Sequence, residues 1–162
     1  MFFDKIGRAN MPHYTTTLEI ARPVADMFAF FTRPRNLVQF TPPDWNLELV
    51  SAPEILALSS RLTWQGRRWG VSQKVIQEVS AFDADKLIVV EQKQGPLKLW
   101  VQTHHFEVSI AGTRIIEKID YDPPGGMLGF MITANAIRKE LDNVSAFREK
   151  ILQEMFGREP QG

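Results

Sequence analysis

Residues 95–122 read GPLKLWVQTHHFEVSIAGTRIIEKIDYD. Two alternating runs flank Ala111-Gly112, which predicts a β-hairpin with strands over 97–110 and 113–121. With those two residues as the turn, Ile110 faces Thr113, Phe106 faces Glu117, His104 faces Ile119 and Gln102 faces Tyr121. Side chains alternate across a strand. One face therefore carries Trp100, Gln102, His104, Phe106, Val108 and Ile110 beside Ile115, Glu117, Ile119 and Tyr121. The other carries Val101, Thr103, His105, Glu107 and Ser109 beside Arg114, Ile116, Lys118 and Asp120. The second set holds more charge, with Glu107 diagonal to Lys118, so it is predicted to face solvent and the first to face the interior.

An interior face that holds an imidazole, an amide and a carboxylate needs an explanation. Buried polar groups must be hydrogen-bonded, and a buried carboxylate must be paired. In this register His104 is the diagonal neighbour of Glu117, within reach of it. Two readings follow: a satisfied internal His–Glu pair, or a set of convergent polar groups (Gln102, His104, Glu117 and Tyr121) in an otherwise apolar pocket. A carboxylate orienting an imidazole could also serve as a general acid–base pair.

Upstream, residues 13–21 alternate Tyr14, Thr16, Leu18 and Ile20 against His13, Thr15, Thr17 and Glu19, a half-buried strand. Pro23 opens a helix with Val24, Met27, Phe28 and Phe31 on one face, and Pro34 opens a second short helix carrying Leu37 and Phe40. Strands are then predicted from Leu47, over 55–64 and 68–79 around a Gln65-Gly66 turn, and over 86–94. Trp69 and Gln73 share parity on the 68–79 strand, so with Trp64 and Trp100 they are candidates to line a ligand tunnel. Downstream of the Asp122–Gly126 break, Phe130, Ala134, Ile137, Leu141, Val144, Ile151 and Met155 recur at helical spacing. They predict one helix over about 128–155, roughly 40 Å long at 1.5 Å per residue. A flat sheet cannot bury such a helix along its length; a strongly curved antiparallel sheet can. The order, strand, two short helices, about six strands, long helix, is an α+β pattern.

The whole chain sets limits on function. At 162 residues a single domain is expected, with a core over about 12–156. Lys plus Arg and Asp plus Glu number 19 each, which leaves no basic footprint for nucleic acid, and Arg67-Arg68 alone do not supply one. No cysteine exists, which excludes thiolate catalysis, disulfides and thiolate metal sites. His104 and His105 point to opposite faces, so no metal site and no cofactor are predicted. Nucleophile-elbow and phosphate-loop patterns are absent. No apolar run is long enough to span a membrane, and no secretion signal is read at the start, so a cytoplasmic location is expected.

Three stretches resemble the START-like superfamily, which includes polyketide cyclases and dehydrases, coenzyme-Q-binding proteins and relatives of the birch-pollen allergen. PVADMFAFFTRPRNLVQFTPP is similar to the family's opening helices. GPLKLWVQTHHFE is similar to its Gly-Pro, Trp, His, Phe strand, and GTRIIEKIDYDPPGG to the strand that follows. The chain departs from the pattern in carrying Gln102 where members often have a second histidine, and Glu117 where they have aspartate. The resemblance implies a helix-grip fold: a curved antiparallel sheet of about seven strands around the C-terminal helix, with two short helices after the first strand. It further implies a small hydrophobic ligand, such as a lipid, quinone or polyketide-like molecule, held between sheet and helix. The expected contacts are Trp69, Gln73, Trp100, Gln102, His104, Phe106, Glu117 and Tyr121. The alternative is a cyclase- or dehydrase-like enzyme using His104 and Glu117.

Overall fold

The structure, a computed structural model, describes residues 11–68 and 70–157. The chain runs β1 (His13–Ile20), α1 (Val24–Phe31), α2 (Pro34–Val38), a 3-10 turn (Pro43–Trp45), β2 (Glu48–Ser51), β3 (Arg61–Arg68) and β4 (Val71–Asp83). It continues through β5 (Leu87–Gln94), β6 (Leu99–Ser109), β7 (Gly112–Asp122), α3 (Leu128–Met131) and α4 (Ala134–Phe156). The strands form one sheet in the order β1-β7-β6-β5-β4-β3-β2, every neighbour antiparallel. Register shifts at Leu49/Ser51, Ile76/Gln77 and Val79/Ala81 mark bulges, which bend strands and increase twist. The sheet curves around α4, as the helix-grip pattern implies. Among the described residues no helix is long and apolar enough to cross a membrane.

The 95–122 hairpin keeps its predicted faces but not its register. Ser109 pairs with Gly112, so the turn residues are Ile110-Ala111, and His104 lies directly opposite Glu117. Gly112 explains the shift. Its φ is +135°, and a Cβ there would lie 2.5 Å from the Ile20 carbonyl oxygen and 2.7 Å from the Arg22 nitrogen. The glycine is needed inside the strand, where β7 passes beneath the β1–α1 connection, rather than in the turn. The displacement is two residues, so every side chain stays on its predicted face. The expected Glu107–Lys118 diagonal is lost; Glu107 instead sits opposite Arg114, 3.9 Å from its guanidinium. Val108 and Ile110, expected inside, are 85% and 110% exposed because the hairpin tip projects past the core.

Two further boundaries differ from expectation. The predicted Gln65-Gly66 turn lies within β3, where Gly66 pairs with Gln73 and admits the close approach of Trp45 and Leu47. β3 and β4 instead join through Gly70, whose φ is +74°. The long helix starts at Ala134, not near Leu128, because the Thr133 side chain accepts the Ala136 N–H and supplies an N-cap. Phe130 is therefore 87% exposed rather than part of the helix's apolar face, and Met155, at the other end, is 42% exposed.

The apolar stripe of α4 organises the interior. Ile137 and Leu141 pack with Tyr14, Ile119, Tyr121 and Ile132 in one cluster. Leu152 packs in a second cluster with Ile20, Met27, Phe28, Phe31 and Phe106. There Phe106 meets Phe28 and Phe31 edge to face, at ring-centroid distances of 5.2 and 5.4 Å. Between these clusters the same helix face presents Val144 and Arg148, and there the interior is not filled.

Candidate functional site

The unfilled region is a cavity of about 280 Å³ between the sheet and α4. Leu62 and Trp64 of β3, Val75 of β4, and Ile88 and Val90 of β5 form its apolar wall. Phe31, Leu37 and Phe40 close it from α1, α2 and the segment that follows, and Leu141 and Val144 from α4. β-branched and aromatic residues at alternate strand positions place these side chains on the concave face. The amides among them have partners: Trp64 Nε1 donates to Gln77 Oε1 at 2.9 Å, and Gln92 Nε2 donates to the Leu97 carbonyl at 2.7 Å.

One part of the lining is polar. Gln102, His104 and Arg148 meet there around Glu117, which is 2% exposed. Gln102 Nε2 donates to Glu117 Oε2 at 2.7 Å, and His104 Nε2 lies 2.8 Å from the same oxygen. Arg148 grips the carboxylate with both terminal nitrogens, Nη2 donating to Oε1 at 2.9 Å and Nη1 to Oε2. A bidentate guanidinium gives a buried carboxylate two parallel charge-assisted hydrogen bonds, each roughly twice as strong as a neutral one. Burial pushes the Glu117 carboxyl up, but the Arg148 charge, the His104 hydrogen bond and the guanidinium hydrogen bonds outweigh it. The group is held far below the ordinary carboxylate range.

That shift has a pH consequence. A carboxyl whose folded value is depressed contributes stability above its ordinary value of 4.5, and loses it as pH falls toward the folded value. Glu117→Gln removes the contribution. The stability gap between wild type and Glu117→Gln should be full above about pH 5 and shrink by up to about 1.4 kcal/mol per pH unit below 4. Urea unfolding of both proteins at pH 7, 5, 4 and 3 measures it. A gap that stays constant or widens on acidification would show that Glu117 is not held ionised.

The structure separates the sequence candidates. Trp100, Gln102, His104 and Gln73 line the cavity. Phe106 sits beside it in the aromatic cluster, in contact with the Phe31 ring that itself lines the cavity. Glu117 lies behind the polar part of the lining and borders a second recess of about 30 Å³ shared with Thr16, Ser145 and Arg148. Tyr121 stands at the start of α4, its hydroxyl donating to the Ala134 carbonyl at 3.3 Å; burial raises its pKa. Trp69 lies outside the described residues. The Trp100 Nε1–H is buried without a hydrogen-bond partner.

Arg148 is the residue the sequence reading missed. Its signal was present: Leu141, Val144, Arg148 and Leu152 follow one helix face, so a charged residue interrupts an apolar stripe. Such a residue needs a counter-charge on the facing sheet, and Glu117 supplies it. Among the described residues no group of three or more histidine, aspartate or glutamate side chains is placed to hold a metal.

Comparison with solved structures returns the same fold at low identity. The protein TTHA0849 from Thermus thermophilus superposes with a TM-score of 0.69 at 17% identity, over 88% of this chain and 95% of that one. Ms6760 from Mycobacterium smegmatis gives 0.64 at 18%, over 88% and 89%. The major latex-like protein 151 of Panax ginseng gives 0.61 at 16%, over 87% and 97%. At these identities the likeness is one of fold. No curated protein matches the chain by sequence. The sequence pattern described as polyketide cyclase / dehydrase and lipid transport matches residues 20–148, from the end of β1 to the arginine of the buried cluster. That match covers well over half of the chain, which therefore belongs to the polyketide cyclase / dehydrase and lipid transport family.

Proposed function

We propose that the chain binds and carries a small hydrophobic molecule, of lipid, quinone or polyketide-like character, in the cavity between the sheet and α4. The observation that carries this reading is the cavity itself. Protein interiors are close-packed, and voids larger than a water molecule are few. Water held against these apolar walls is costly, about 25 cal/mol per Å² of apolar surface left wet. An apolar occupant offsets that cost. The volume of about 280 Å³ lies just below the usual range of ligand pockets, about 300–1,000 Å³, which favours a compact molecule of two or three rings or a short chain. Membership of a family described by cyclisation, dehydration and lipid transport supports the same class of ligand.

The test is a titration with 6-propionyl-2-dimethylaminonaphthalene, a neutral naphthalene without a hydrogen-bond donor whose emission shifts to the blue in apolar surroundings. Saturation at one probe per chain is expected. Val75→Trp fills the cavity from β4 and should weaken the probe at least about tenfold, since the probe loses most of its apolar burial. The absence of saturable binding, or equal affinity in Val75→Trp, would contradict the proposal.

A second reading draws support from one contact, the 2.8 Å approach of His104 to Glu117. A carboxylate that orients an imidazole in a water-poor site is a device of general acid–base catalysis. His104→Gln distinguishes the two. A carrier should retain probe affinity within about threefold. An enzyme should retain binding but lose roughly a hundredfold or more in turnover of a cyclisable or dehydratable compound, the usual worth of a general acid or base.

A further inference from the structure

We infer that the polar part of the cavity selects apolar molecules that carry a hydrogen-bond-donating hydroxyl, a phenol or alcohol, and disfavours ethers and carboxylates of the same skeleton. The inference rests on the ligand-binding reading above and names the chemistry of that ligand.

Glu117 sets the orientation of its neighbours. Its carboxylate, gripped by Arg148, can only accept hydrogen bonds. His104 Nε2, 2.8 Å from Oε2, must therefore carry a proton, and its 3.5 Å approach to Arg148 Nη1 is proximity between two donors. With Nε2 protonated, a neutral ring has its lone pair on Nδ1. Gln102 is fixed by the same logic: Nε2 donates to Glu117, so Oε1 is the free end of the amide. Among the described residues neither His104 Nδ1 nor Gln102 Oε1 has a hydrogen-bond partner. Neither atom is sealed, because the one buried side-chain nitrogen or oxygen without a partner among the described residues is Trp100 Nε1. Both side chains line the main cavity.

The carboxylate thus turns two bifunctional side chains so that each presents an acceptor to the ligand. Arg148 commits one N–H from each terminal nitrogen to Glu117, which also balances its charge. The Glu117–Arg148 pair carries no net charge to attract an anion. A hydroxyl meets the two acceptors with a donor. An ether oxygen or a carboxylate meets them lone pair to lone pair, after losing its water.

The experiment is competition against 6-propionyl-2-dimethylaminonaphthalene by 4-phenylphenol, 4-methoxybiphenyl and biphenyl-4-carboxylate. The phenol should displace the probe about three- to tenfold more effectively than the ether, the range of one net hydrogen bond. The carboxylate should be the weakest of the three. In His104→Phe the phenol-to-ether ratio should fall, because Gln102 Oε1 is then the one acceptor of the pair that remains. A readout on the wild-type protein stands independently of that variant's folding. Long-range proton–nitrogen NMR of the imidazoles should show His104 with a pyridine-like Nδ1, whose resonance moves upfield on saturation with the phenol and stays in place with the ether. Equal affinities for phenol and ether, tightest binding of the carboxylate, or a pyridine-like Nε2 would overturn the inference and leave the carrier reading standing. Failure of the naphthalene probe itself would overturn both.

Discussion

Arg148→Met is expected to destabilise the protein by about 3–5 kcal/mol, the usual consequence of leaving a buried charge without its partner. Glu117 is 2% exposed, and among the described residues no other cation reaches it with two hydrogen bonds. The methionine keeps the length and apolar packing of the helix face, so the loss reports charge rather than volume. Replacing both members, Glu117→Leu with Arg148→Met, removes the uncompensated charge and should recover more than half of the loss. Apolar replacements of buried ion pairs are often neutral or stabilising. Urea unfolding of wild type, the single variant and the double variant measures this. A cost below about 1 kcal/mol for Arg148→Met would mean the pair is solvated, as surface ion pairs are.

The second large effect falls on adjacent residues of one strand. Phe106→Ala should cost about 3–5 kcal/mol, because the ring is 4% exposed and its deletion removes a wall of the aromatic cluster. Glu107→Ala should cost less than about 1 kcal/mol, because its partner Arg114 is 3.9 Å away, half-exposed, and closer to Glu19 at 2.9 Å. Comparable shifts in the urea midpoint for the two would show that β6 presents the opposite face to the core.

These two residues also mark how far the sequence could be read. Alternation in β6 and β7 identified which side chains point inward, since parity survives a two-residue slip. Register did not follow from alternation. It depended on Gly112 passing under Ile20 and Arg22, a contact between segments about 90 residues apart, whereas Ala111-Gly112 is an acceptable turn on local grounds. The Gln65-Gly66 turn failed for a similar reason: the glycine serves the approach of Trp45 and Leu47, not a reversal of the chain. The start of α4 was set by the Thr133 cap, which competes with an apolar spacing that Phe130 satisfies by coincidence. For the site, the pairing of His104 with Glu117 was legible, but its anchor was not. Arg148 lies 31 residues from Glu117, and a charged residue on a helix reads first as solvated until the helix is known to face a concave sheet.

Occupancy of the space between sheet and helix by an apolar molecule is directly visible in intermolecular nuclear Overhauser effects. With isotope-labelled protein and unlabelled 6-propionyl-2-dimethylaminonaphthalene, cross-peaks should connect the probe's aromatic protons to the methyl groups of Leu62, Val75 and Val90, which line the cavity. Cross-peaks confined to the exposed side chains of Met127 and Met131, or of Val108 and Ile110 at the hairpin tip, would place the probe on the surface and contradict it.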